Sequence, residues 1–337
     1  MHTFQTFWWG ARLTPYENVC LKSFVDHGHR VDLYTFDSGL EVPNGVAVCD
    51  ASTLIERGRF FTYQNGTGKG SPSAFSNLFR YLLLLRKGGW WIDTDVICLS
   101  SQVPKAGGYY AWQNATQING AVLYFEANHP VMQRCLARAE EIGAAVQWGQ
   151  TGPDLLTPVL ADLGLTGNAR PASESYPVPY QEALDLLRPS HASDLRERME
   201  NALFLHLWNE IFRRSGVRKY YLPPRGSLLR EYCDRHAVNG WTGEYDIEGL
   251  ARQFELAAEQ ERLQSELARL SAEGNALRAN LSESQRHHDE RVAVLSNELA
   301  LARAEITAMQ ASRVWRSTAP IRALATRLRN PRDSDVS

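Results

Sequence analysis

Two carboxylates stand inside a run that is otherwise apolar. Residues 75–99 read FSNLFRYLLLLRKGGWWIDTDVICL, and Asp93 and Asp95 interrupt Trp90, Trp91, Ile92, Val96 and Ile97. Aromatic and β-branched residues in such a run are the signature of a buried strand. A charge there is costly unless it is paired or binds a metal. On an extended chain residues i and i+2 face the same way. The spacing therefore predicts that Asp93 and Asp95 converge at a strand end and offer oxygen ligands to a hard cation such as Mn²⁺ or Mg²⁺. Cations held in this way bridge to substrate phosphates. Solvated carboxylates at a strand end give the same tripeptide, so its surroundings decide.

Those surroundings are a helix and a turn. Ser76 to Lys87 is helical in pattern, with Leu78, Tyr81, Leu82 and Leu85 at three- and four-residue spacing. Gly88 and Gly89 end it after a basic last turn. Upstream, residues 4–9 read as a first strand, and Thr14 or Pro15 opens a helix with Tyr16, Val19, Cys20 and Phe24 on one face. Val31–Phe36 and Val46–Cys49 read as two more strands. Strand, helix and strand at this spacing indicate an α/β fold built on an open, mostly parallel sheet. Such sheets bind ligands at the carboxyl ends of their strands, which would line Trp8, Trp9 and Gly10 along one crevice with the aspartates.

Further on, Tyr109–Trp112 and Ala121–Phe125 read as strands, residues 130–146 as an amphipathic helix, and Gly152-Pro153 as another helix start. Residues 171–190 are irregular. Residues 202–209, ALFLHLWN, read as a strand carrying His206 and Trp208 on one face. The Gly/Ser-rich stretch 62–73 is not a phosphate-binding P-loop, because Gly68-Lys69 lacks the upstream glycine and the following Ser or Thr.

The combination of an FxxLFRY-type helix and a following GG-aromatic-aromatic-hydrophobic-D-x-D-hydrophobic resembles the sugar-nucleotide site of DXD-containing glycosyltransferases. The likeness is to the family-32 type, with the α1,4-galactosyl- and α1,4-N-acetylglucosaminyltransferases. It implies a GT-A-type, Rossmann-like fold and a metal-dependent, retaining transfer from a nucleotide-sugar, a UDP-sugar ahead of a GDP-sugar. By resemblance, Asp93 and Asp95 hold the metal, with His206 as a third ligand. Arg80 contacts phosphate or sugar hydroxyls, and Trp8, in a Trp-x-Gly with Trp9 and Gly10, stacks on the nucleobase. Asn119 lies near donor and acceptor, and His206 and Trp208 lie over the diphosphate. Where the family has Ser-Asp ahead of Arg, this chain has Ser76 and Asn77, so Asn77 would bond the donor in altered fashion.

Composition bounds the rest. The 337 residues carry a formal net charge of −2, which gives no global attraction to nucleic acid. Five cysteines are scattered singly, as expected of reduced thiols rather than a disulfide framework or a zinc site. No run of about 18 apolar residues occurs, and residues 1–10 lack a signal-peptide pattern. The expectation is a cytoplasmic protein, peripheral on the inner face of the cell membrane.

A catalytic domain is expected over residues 1–245 and a coiled coil over 248–311. Leu256, Leu263, Leu267, Leu270, Leu277 and Leu281 fit one heptad seam, and Val292, Leu295, Leu299, Ala302, Ile306 and Met309 a second. The phase slips near 284–291, a stutter. Such a seam calls for a partner, most simply another copy of the chain. Residues 312–337 form a basic tail in which Arg313, Arg316, Arg322, Arg327, Arg329 and Arg332 alternate with apolar residues including Trp315, a pattern suited to an anionic membrane surface. The tail also resembles an element that follows coiled coils in bacterial polysaccharide-assembly glycosyltransferases, which implies a glycan or lipid-linked acceptor in cell-surface polysaccharide synthesis. Two other classes stay open: a metal-dependent nucleotidyl- or phosphotransferase, and a non-catalytic scaffold with a degenerate transferase domain.

Overall fold

A computed structural model describes residues 1–66, 68–104 and 107–329, with Arg327 described in its backbone alone. Residues 330–337, including Arg332 of the expected basic tail, lie outside the described residues. The chain divides into two units, Met1–Glu259 and Gln260–Ser337.

The first unit opens with β1 (Thr3–Phe7), α1 (Pro15–Asp26), β2 (Arg30–Thr35) and β3 (Val46–Asp50). Then follow α2 (Ser73–Lys87), β4 (Gly89–Ile92), β5 (Val96–Cys98), β6 (Tyr109–Trp112) and β7 (Ile118–Phe125). α3 (Pro130–Ile142), α4 (Pro153–Asp162), α5 (Ala172–Ser175), α6 (Ala192–Met199), β8 (Phe204–His206) and α7 (Asn209–Arg214) complete the part that concerns the site. β9 (Tyr221–Leu222), α8 (Leu228–His236) and β10 (Gly243–Glu244) lead to α9 (Ile247–Ala311).

Six strands form the main sheet in the order β3-β2-β1-β4-β7-β6. The pairs β1–β2, β2–β3 and β1–β4 are parallel, and β7 joins antiparallel to β4 and to β6. This mixed, mostly parallel sheet flanked by helices is the expected α/β architecture. Side-chain alternation explains how helices cover both faces. Phe7, Tyr34 and Trp91 pack with α2, α3 and α4 on one face. Phe4, Val31, Leu33, Trp90 and Ile92 pack with Leu21 and Phe24 of α1 on the other. A third cluster joins α1 to α8 through Val178, Leu186 and Leu205. All five cysteines are free thiols.

α1 begins with a capping box in which Thr14 and Glu17 bond reciprocally. α2 ends at Gly88, whose φ of +64° suits glycine and where a Cβ would strike the backbone of Glu126 and Ala127. That tight stop turns the chain straight from α2 into β4, so Arg80 and the aspartates come from adjoining elements.

α9 belongs to the first unit at its start, where Leu250 is buried, and makes up most of the second. In the second unit α10 (Arg313–Ser317) and α11 (Ala319–Arg329) follow it. The Ser312 hydroxyl caps α10 by accepting from the Trp315 N–H at 3.2 Å. Arg322 lies 3.7 Å over the Trp315 ring and donates to the Thr318 hydroxyl at 2.7 Å. The Ser-x-x-Trp-Arg-x-Thr-x-Pro segment thus closes a short helical corner on itself. No helix among the described residues is long and apolar enough to cross a membrane.

Candidate active site

The run carrying the aspartates is two strands, not one. β4 ends at Ile92 and β5 begins at Val96, with Asp93-Thr94-Asp95 as the turn between them. The expectation that both aspartates share a face of a single strand is corrected, because the Val96 N–H returns to the Asp93 carbonyl at 3.3 Å. The side chains still converge. The Asp93 N–H donates to the Ala121 carbonyl at 2.8 Å, which anchors the turn on β7.

One oxygen of Asp93 is held by two donors. Arg80 of α2 donates to Oδ1 at 2.6 Å and the Trp91 indole N–H donates to the same oxygen at 2.8 Å. Arg80 is 4% exposed and its guanidinium lies 5.2 Å from the centre of the Trp91 ring. It therefore faces Asp93 rather than open solvent. A side chain at residue 120 would occupy the place of the guanidinium, so Gly120 on β7 makes room for Arg80.

Asp95 is 9% exposed and meets His206, whose Nε2 lies 3.2 Å from Oδ1. The antiparallel pairing of β5 with β8 sets Val96 opposite His206, and the Leu207 N–H donates to the Asp95 carbonyl at 2.9 Å. The backbone N–H of Asn209 donates to Asp95 Oδ2 at 2.9 Å. Burial alone would raise the Asp95 pKa. The charge and hydrogen bond of His206, with the Asn209 amide and Lys219, outweigh burial and bring it to about 2. The carboxylate is ionised at neutral pH.

Trp208 is not part of the strand expected to carry it. It adopts a left-handed conformation at φ +58°, which ends β8 and starts α7. This bend lays its indole against the His206 ring at 4.1 Å and lets its N–H donate to the Val178 carbonyl at 2.8 Å. Tyr176 closes the other approach, 5.8 Å from the His206 ring, and its hydroxyl donates to the Asn119 carbonyl at 3.3 Å.

Behind Asp95 lies a network that sequence reasoning missed. Glu17 is fully buried, accepts from the Asn209 side-chain amide at 2.9 Å and pairs with Lys219. The Thr-x-x-Glu start of α1 is legible in the sequence as a capping box. Its second duty, toward Asn209 and Lys219, is not, because those residues lie far along the chain.

The other expected residues fall as follows. Trp8, Trp9 and Gly10 lie just past the end of β1. The Trp8 indole nitrogen is buried without a hydrogen-bond partner, and a Cβ at Gly10 would come 3.3 Å from it. Trp9 is stacked on Phe60 at 3.5 Å, with Arg57 5.5 Å from its ring centre. Asn77 is buried and its amide donates to the Thr151 hydroxyl at 3.3 Å, against the turn that opens α4. Asn119 lies within β7 rather than in a turn, and donates to the Gln113 side chain at 2.6 Å.

One ligand atom each from Asp93, Asp95 and His206 lies within 4.8 Å of the others. Two carboxylates and an imidazole suit a divalent ion such as Mn²⁺. The buried His206 Nδ1 and Asn209 Oδ1 have no hydrogen-bond partner, so polar capacity is left over at the site. The residues present fit a metal.

Comparison with known proteins finds matches over the segments that carry these side chains. Residues 19–113 match the family model described as the glycosyltransferase sugar-binding region containing DXD motif, and residues 124–238 match the alpha 1,4-glycosyltransferase conserved region. The chain is 27% identical to lactosylceramide 4-alpha-galactosyltransferase of Pan troglodytes over 40% of its own length. It spans 41% of the length of that relative. It is 24% identical to human alpha-1,4-N-acetylglucosaminyltransferase, over 48% of this chain and 51% of that one. Among solved structures it is similar to the PaToxG glycosyltransferase at 14% identity and a TM-score of 0.36, covering 72% of this chain and 87% of the other.

Proposed function

We propose that the chain transfers a sugar from a nucleotide-sugar, a UDP-sugar in preference to a GDP-sugar, to a glycan or lipid-linked acceptor in cell-surface polysaccharide synthesis. The observation that carries this reading is the meeting of Asp93, Asp95 and His206 at the end of the central strand β4. Both family matches, on either side of residue 120, concern glycosyltransferases.

Asp93, Asp95 and His206 would hold Mn²⁺ or Mg²⁺, and a divalent ion bound there supplies Lewis-acid neutralisation of the leaving diphosphate. The chain's own part is positional. Arg80 and Trp91 fix one oxygen of Asp93, which leaves the other free to ligate. The Asn209 N–H fixes Asp95, and Trp208 and Tyr176 flank His206 and limit water. Trp8, at the neighbouring strand end, is the aromatic residue assigned to the base in this reading. Asn77 and Asn119 are assigned to the sugar in this reading by their resemblance to the family's positions. The acceptor hydroxyl attacks on the face from which the diphosphate departs, which retains the anomeric configuration. Catalysis rests on positioning and preorganised charge.

The reading places the enzyme in the cytoplasm, peripheral on the membrane through residues 312–337, and pairs it with a second copy of itself through the exposed seam of α9.

The experiment is nucleotide release from a panel of UDP- and GDP-sugars with Mn²⁺ and with EDTA, alongside Asp95→Asn. Release that needs both the metal and Asp95 is expected. Silence across the panel, with no donor binding by calorimetry, would overturn the transferase reading in favour of a scaffold.

A further inference from the structure

α9 is one unbroken helix through the residues where the two heptad seams meet. From Gln260 onward, Gln260, Leu267, Gly274 and Leu281 fall at a, and Leu263, Leu270 and Leu277 fall at d. After the step from Leu281 to Val292, Val292, Leu299 and Ile306 fall at a, and Leu295, Ala302 and Met309 at d. Every Leu, Ile, Val and Met of this seam is between 48 and 69% exposed. An apolar stripe of that length on one helix is what a coiled coil covers.

We propose that a second copy of the chain covers this seam as a parallel, in-register, two-stranded coiled coil. The inference rests on the homo-oligomer reading above and is independent of the transferase reading. Three features fix the partner and its direction. No d position holds a β-branched residue, and both β-branched residues of the seam, Val292 and Ile306, fall at a, the arrangement that favours two parallel strands over three or four. Gln260 is a lone polar residue at a, which meets its own kind only when two parallel helices are in register.

The third feature is charge. The g positions hold Glu266, Glu273, Asn280, Arg291, Glu298 and Glu305. The e positions hold Gln264, Ser271, Arg278, Ser296, Arg303 and Gln310. A parallel pair sets each g against the e five residues on in the second copy. Glu273 then meets Arg278 and Glu298 meets Arg303, while Glu266, Arg291 and Glu305 meet Ser271, Ser296 and Gln310. No like charges oppose. An antiparallel pair sets g against g, which matches glutamate mostly with glutamate. Arg269 on the same helix already binds Glu266 and one oxygen of Glu273 at 2.6 Å, leaving the other Glu273 oxygen open to the second copy.

The test uses the full chain. Light scattering should give twice the 38.0 kDa of one copy. Leu263→Cys and Ile306→Cys, prepared separately and oxidised, should each form a disulfide-linked dimer on a non-reducing gel, over a wild-type background set by the native cysteines. A single-copy mass overturns both the inference and the homo-oligomer reading. Three or four copies, or disulfide linkage by neither variant alone, overturns the inference only. Linkage that appears solely when the two variants are mixed marks an antiparallel pair. A charge exchange checks the same point. Arg278→Glu should raise the dimer dissociation constant, and adding Glu273→Arg should restore it; an additive loss instead would contradict the parallel pairing.

Discussion

The guanidinium of Arg80 lies where the side chain of residue 120 would be, and residue 120 is glycine. Arg80 reaches Asp93 from α2 only by passing over β7 at that point. Gly120→Ala should therefore displace Arg80 and release one hold on Asp93. Loss of an outer partner of a metal ligand typically costs about 10–100-fold in metal affinity or activity. We expect a fall of that order in Mn²⁺ affinity by calorimetry, with circular dichroism unchanged. Unchanged affinity would separate Arg80 from the metal site.

Glu17 ties α1 to α7 through Asn209 and to Lys219. Glu17→Gln keeps the shape and removes the charge. Lys219 is partly exposed and can turn to water, so the expected loss is about 1–3 kcal/mol rather than the full cost of a buried unpaired charge. Urea unfolding reads this directly, and a midpoint equal to wild type would show that the pairing contributes nothing.

Acid should weaken the fold before any carboxylate titrates. Burial holds His29, His129 and His236 below the ordinary histidine value. For His236, hydrogen bonding to Asp26 pulls the other way without prevailing, and its buried Nε2 has no partner to welcome a proton. A histidine depressed in the folded state is protonated first in the unfolded chain, near pH 6.5, so stability falls as pH drops through that value. Thermal midpoints from pH 8 to pH 5 should decline, and His236→Gln should flatten the decline. A midpoint that rises toward pH 5 would contradict the sign.

The C-terminal corner presents Val314, Ile321, Leu324 and Leu328 to solvent among arginines. Deleting residues 312–337 should abolish cosedimentation with vesicles containing phosphatidylserine. Equal sedimentation of the full and shortened chains would remove the membrane role.

Much of the site was legible because its parts lie close in sequence. α2, the glycine stop and the two aspartates occupy one stretch, and local pattern placed them correctly. Strand alternation does not account for their convergence; the turn between β4 and β5 brings the side chains together. Asn119 sits in a strand because β7 begins at Ile118, earlier than its apolar run suggested. The contacts of Glu17 with Lys219 and of Asn77 with Thr151 join distant segments, and no local pattern announces them. Nor does any announce the left-handed Trp208, a conformation that tertiary packing imposes on a bulky residue.

That bend leaves the site intolerant of changes in length. Within four consecutive residues the chain supplies the imidazole that meets Asp95 at 206, its aromatic cover at 208 and the amide that clamps Asp95 at 209. One added residue in this segment would displace all three from Asp95 together, because each is set by its place in the bend between β8 and α7, and no single substitution could restore all three. An insertion or deletion between 205 and 209 should therefore abolish the site where a substitution at one of these positions would only weaken it.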